Sequence, residues 1–171
     1  MEQVVAKQGG VEGKTYPVLP SAKPKAIVLC CSDPRFQEAV TEFVEKDLGF
    51  AKGTYVPLTL FGAVASLTEQ DNLPKEFKYL AEALELGIGH FSSIENVVLI
   101  NHEDCAKYKA MHAKIGSSFL RRFVDMPERQ KSDLTKVMNV VAELANRKLT
   151  IDRYFAKFAN AEHTEVVFEK Q

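Results

Sequence analysis

Ala26-Ile27-Val28-Leu29-Cys30-Cys31-Ser32-Asp33-Pro34-Arg35 decides the fold. Ala26 to Cys30 is a short, continuous apolar run, the pattern of a strand buried on both faces. The run ends on the thiol of Cys31 and turns at once into a helix start. Ser32 or Asp33 can cap that helix, with Pro34 at its first position. Phe36, Val40, Phe43, Val44 and Leu48 then recur at helical spacing, and Gly49 closes the element. A second stretch repeats the plan. A strand predicted over Asn96 to Asn101 contains Val97-Val98-Leu99-Ile100 and leads into His102-Glu103-Asp104-Cys105. A helix follows it, with Cys105, Tyr108, His112 and Ile115 about one turn apart.

In an open parallel sheet, ligands gather outside the carboxyl ends of the strands. Two such ends bring Cys31, His102 and Cys105 to one crevice. They make a Cys2His set, a donor set that holds catalytic zinc and leaves a fourth position for water. The spacing of three lets His102 and Cys105 face one side of the first helical turn, whose amino end favours thiolate at Cys105. Asp33 and Arg35 follow Cys31 closely enough to stand beside the donors. There Arg35 can hold the Asp33 carboxylate by a charge-assisted hydrogen bond.

The remaining chain reads as follows. Gly53 to Leu60 is a second strand, placed at an edge or bulge by Pro57. Phe61 to Leu67 lines a pocket or begins a helix. Pro74 opens a helix with Phe77, Leu80, Ala81 and Leu84 on one face, ended by Gly87 and Gly89. Pro127 to Arg147 contains a longer helix, striped by Leu134, Val137, Met138, Val141 and Ala145. Ile151, Tyr154, Phe155 and Phe158 mark one more helix, and Glu165 to Glu169 a short final strand. Strands separated by helices give an α/β parallel sheet with right-handed crossovers. Met1 to Lys25, broken by Gly9, Gly10, Gly13, Pro17, Pro20 and Pro24, is an arm that wraps the surface or a partner subunit. Cys30 should point opposite to Cys31 and serve the core. Phe36, Phe61, Tyr108, Tyr154, Phe155 and Phe158 are also core candidates. His90, in a loop, and His163 are surface candidates.

Length and charge bound the function. The 171 residues suit one domain, spanning 1–171 with 1–25 as its arm. A net charge of −1 gives no footprint for nucleic acid or an anionic membrane surface. The apolar stretches are too short to span a bilayer and the N-terminus has no signal-peptide core. Three cysteines, two of them adjacent, suit thiol or metal chemistry in a reducing compartment, hence a cytoplasmic location.

Cys31-x-Asp33-x-Arg35 after one strand and His102-x-x-Cys105 after a later one resemble the β-class carbonic anhydrases. The resemblance covers Lys25 to Ile115 and, more loosely, the last strand. It implies an open, mostly parallel sheet of about four strands, order 2-1-3-4, flanked by helices. Members usually add an antiparallel edge strand after the fourth; with the chain ending at Gln171, that strand is expected to be missing. The resemblance further implies reversible hydration of carbon dioxide to bicarbonate by a metal-bound hydroxide. It implies one Zn2+ per chain on Cys31, His102 and Cys105, with Asp33 and Arg35 as the catalytic dyad that orients or gates the metal. A homodimer or higher homo-oligomer is implied as well. Several positions depart from the family pattern. Pro57 to Ala63 has neither the arginine nor the asparagine of an Arg-Asn-Ala-Gly-like segment. Asn101 and Ala106 stand where glycines usually flank the His-x-x-Cys motif, and Pro34 replaces a small polar residue. Two alternatives follow from that altered wall: a related zinc hydrolase of carbonyl sulfide or carbon disulfide, and a zinc-stabilised binding or assembly module without turnover.

Overall fold

The computed structural model describes residues 15–19, 23–113 and 125–171. Its centre is a five-stranded sheet in the order β2-β1-β3-β4-β5. Strand β1 (Ala26–Cys31) pairs in parallel with β2 (Tyr55–Leu60) on one side and β3 (Asn96–His102) on the other. Strand β4 (Thr150–Phe158) is parallel to β3, and β5 (Val166–Lys170) runs antiparallel to β4. Every residue of β1 is buried, as its unbroken apolar run predicts for a strand covered on both faces.

Alternate residues serve two cores. Ile27, Leu29, Val97 and Leu99 face one side, under α2 (Ala63–Ser66), α3 (Pro74–His90) and α5 (Met126–Leu144). Val28, Cys30, Val98 and Ile100 face the other, under α1 (Pro34–Glu42) and the π-helical turn Phe43–Asp47 that continues it. Helix α4 (Ala106–Ala113) follows β3. Cys30 packs with Phe36 and Val40, whereas Cys31 packs with Ala65, Cys105 and Tyr108, so the two adjacent thiols point to opposite faces as expected.

Four expectations are corrected. Ile151, Tyr154, Phe155 and Phe158 belong to a strand, β4, and not to a helix. The expected fourth strand is therefore fifth, and the antiparallel edge strand thought missing is present as β5. Helix α3 runs through Gly87 and Gly89 to His90, which is its last residue and not in a loop. Phe61 is exposed, not core. The edge position of β2, required by Pro57, holds, and so does the helix start at Pro34. Ile115 and residues 1–14 of the arm lie outside the described residues.

Candidate metal centre

Asp33 is the residue that turns β1 into α1. It is the helix N-cap, and its Oδ1 accepts the backbone N–H of Arg35 at 3.1 Å. Gln37 then reaches back, donating from Nε2 to the carbonyls of Cys31 at 2.7 Å and Asp33 at 3.2 Å. These contacts fix the end of β1 and with it the direction of the Cys31 thiol. At the end of β3, Glu103 gives its N–H to the carbonyl of Ala156 at 2.8 Å, and its side chain accepts the N–H of Phe158 at 3.0 Å. The chain can then reverse at Asp104, whose φ of 62° lies in the left-handed region. That reversal places Cys105 immediately before α4, so His102 and Cys105 meet across a turn and not along one helical face, as their spacing had suggested.

The outcome is a cluster. The donor atoms of Cys31, His102 and Cys105 lie within 4.8 Å of one another, and all three residues are buried. The two Sγ atoms are 3.9 Å apart. A disulfide needs about 2.0 Å, whereas two thiolates on one tetrahedral zinc, each at about 2.3 Å, stand about 3.8 Å apart. His102 Nδ1 donates to the carbonyl of Glu103 at 2.7 Å, since a carbonyl oxygen only accepts. That bond leaves Nε2 as the lone-pair nitrogen, and Nε2 is buried without a hydrogen-bond partner among the described residues. A metal-binding histidine is set up in the same way, one nitrogen tied to a carbonyl and the other free to ligate. The residues present fit a zinc ion.

The thiols share their charge unevenly. The hydrogen bond from Cys105 pushes Cys31 down against the effect of burial, with help from His102 and from the Gly62 N–H, which donates to Cys31 Sγ at 3.2 Å. The same sulfur contact, and then burial, push Cys105 up, although the backbone N–H groups of Tyr108 and Lys107 pull the other way. Cys30 is pushed up to about 12, by burial first and then by the charge of Cys31, so it stays a neutral core thiol.

Asp33 and Arg35 pair as the sequence suggested. Arg35 Nε meets Oδ1 at 3.1 Å and Nη2 meets Oδ2 at 2.7 Å, a two-pronged contact that holds the Asp33 carboxyl below its ordinary range. Asp33 stands outside the three-donor cluster. Sequence reasoning missed Asp104, which accepts from Arg35 Nη1 at 3.0 Å and also pairs with Lys109. A crevice at the strand ends was expected, but not the lining of the cleft of about 260 Å3 beside the cluster, which includes Cys105, Tyr108, Met126, Phe158 and His163. His163 is exposed, as expected, but its ring stacks on Phe158 at 4.1 Å. The spacing of His163 from the two motifs gave no sign of this. Phe36 packs its ring 4.2 Å from that of His102.

No family model matches the sequence, and no curated protein is similar to it in sequence. Solved structures do match. The β-carbonic anhydrase CafA of Aspergillus fumigatus superposes with a TM-score of 0.55 at 13% identity, over 88% of this chain and 76% of that one. A carbonic anhydrase from Streptococcus mutans gives 0.55 at 17% identity, over 91% and 87%. Tetrameric β-carbonic anhydrases from Sordaria macrospora give 0.50 at 17% identity, over 86% and 81%. With its parallel core, antiparallel edge strand and paired strand ends, the chain has the fold of the β-carbonic anhydrases.

Proposed function

We propose that the chain catalyses the reversible hydration of carbon dioxide to bicarbonate, with one zinc held by Cys31, His102 and Cys105. Zinc bound there supplies a Lewis acid that makes water nucleophilic near neutral pH. The observation that carries the reading is the state of the donors. Two buried sulfurs stand 3.9 Å apart without a disulfide, beside an imidazole whose free nitrogen is buried and, among the described residues, unpartnered. Burying three such groups together is costly unless something ligates them.

The neighbouring residues take roles that suit this chemistry. Arg35 occupies both oxygens of Asp33 and keeps it ionised, so Asp33 serves as a hydrogen-bond acceptor that orients the reacting water. By holding that carboxylate, Arg35 also restrains it from becoming a further metal ligand. Phe36 fixes the His102 ring plane, and the Glu103 carbonyl fixes its tautomer. The cleft beside Cys105 has apolar walls in Tyr108, Met126 and Phe158, which suit a neutral substrate.

Stopped-flow hydration with a pH indicator tests the reading, run beside a Cys31→Ser control. The zinc-replete wild type should exceed the control. Equal rates would end the carbon dioxide reading and turn attention to carbonyl sulfide and carbon disulfide, and then to a binding module.

We further read the whole chain as one zinc-binding domain that works as a homo-oligomer, a homodimer at least. The three free cysteines suit a reducing compartment such as the cytoplasm. Among the described residues, no helix is long and apolar enough to cross a membrane.

A further inference from the structure

Asn101 has no place in the zinc chemistry, yet it is a carboxamide buried to 3% exposure at the end of β3. Its neighbours on that face of the strand, Val97 and Leu99, are core. A buried amide needs partners, and its partners are specific. Nδ2 donates to the hydroxyl oxygen of Tyr108 at 3.1 Å and to the carbonyl of Gln130, on α5, at 2.9 Å. Tyr108 is fully buried on the first turn of α4. Burial, and then the negative charge of Asp133, push its pKa up, so the oxygen accepts from Asn101 as a neutral phenol. Asp133 is itself buried on α5 and is countered by Lys136 at 2.8 Å and Arg129 at 3.8 Å.

The placement of this contact along the chain matters. Asn101 directly precedes His102, and Tyr108 lies three residues beyond Cys105. Their hydrogen bond joins residues seven apart and closes a loop that contains both donors. Where Asn101 stands sets where His102 emerges, and where Tyr108 stands sets where Cys105 points.

We propose that Asn101 and Tyr108 form a clamp that holds His102 and Cys105 at ligand spacing before metal binds. They are positioning residues for metal affinity, and the inference rests on the metal-site reading above. A ligand loop that is already closed loses less conformational freedom on binding and so binds more tightly.

The test uses the full-length chain stripped of metal. Zn2+ affinity is measured against a competing chelator, and Co2+ binding is followed by its thiolate absorption band. Tyr108→Phe and Asn101→Ala should each weaken Zn2+ binding about 10- to 100-fold and shift the Co2+ band. The double variant should be no weaker than the worse single one, because both remove one interaction. Val141→Ala, about two turns further along α5, destabilises the core without touching the clamp and should bind as the wild type does. Circular dichroism confirms that each variant is folded; if Asn101→Ala is not, Tyr108→Phe alone decides. Folded clamp variants with wild-type affinity and band overturn the proposal. Equal weakening in Val141→Ala also overturns it, because the effect is then general destabilisation. A wild type that binds neither Zn2+ nor Co2+ overturns the metal site itself, and the clamp with it.

Discussion

The two nitrogens of His102 have different surroundings, and that difference is the most direct sign of a ligand. Nδ1 is tied to the Glu103 carbonyl, and Nε2 has no hydrogen-bond partner among the described residues. Elemental analysis of protein purified without added metal should find about one zinc per chain, and His102→Ala and Cys105→Ser should each lose most of it; full retention in both would refute the assignment. Arg35 acts differently, because it holds Asp33 and Asp104 and stands outside the donor cluster. Arg35→Ala should keep its zinc while hydration falls about 10- to 100-fold, as for other groups that orient a metal site. The same variant has a pH signature. Arg35 lowers the Asp33 pKa on folding, and together with Lys109, the larger influence, it lowers that of Asp104. Groups so depressed stabilise the fold above the unfolded carboxylate range of about 4, and that stability disappears as pH falls through the lower folded values. Acid unfolding of Arg35→Ala, followed by circular dichroism, should therefore begin at a higher pH than in the wild type. An unchanged acid transition would mean that the ion pairs do not couple to folding.

Legibility differed from element to element, for identifiable reasons. β1 and β3 were plain because each is an apolar run that ends on a donor residue, and a strand buried on both faces has no polar alternation to confuse it. β4 was misread for the same reason. Tyr154, Phe155 and Ala156 are buried in succession, and the spacing of Ile151, Tyr154, Phe155 and Phe158 matches a helix by coincidence. The aromatic and β-branched content was the better guide, as was the turn that follows, where Asn160 Oδ1 accepts the N–H groups of Thr164 and Glu165. The tie between Arg35 and Asp104 spans 69 residues and leaves no local pattern to read. A helix start within Phe61 to Leu67 was legible, but the part Gly62 plays between β2 and α2 was not. Gly62 has φ of 60°, its N–H donates to Cys31, and a Cβ there would come within 2.4 Å of Lys107 Cβ. Gly62→Ala should therefore cost about 1–3 kcal/mol in chemical denaturation and weaken zinc retention along with it. A variant as stable as the wild type would show that α4 gives way without cost.

At the scale of the whole molecule, the side chains that the fold leaves uncovered suggest what it associates with. β2 closes one edge of the sheet, and Pro57, exposed in its middle, has no N–H to give to an added strand. A second copy is thus discouraged from extending the sheet through that edge and should associate through side chains. Large apolar side chains are available on that side. Tyr16, Val18 and Leu19 of the arm are exposed, Leu19 lies against Gly53 just before β2, and Phe61 is exposed just after it. Exposed apolar groups of this size, here at the two ends of β2, mark an interaction surface more often than chance, and two-fold pairing is the commonest way for a chain to cover them. Light scattering at micromolar concentration should therefore give a mass twice the chain's 19.1 kDa. Phe61→Glu should shift the equilibrium toward monomer at least tenfold, the effect of losing about 1.4 kcal/mol of association energy, while leaving zinc content unchanged. A wild type that is monomeric at that concentration would refute the homodimer, and a dimer indifferent to Phe61→Glu would move the interface away from β2.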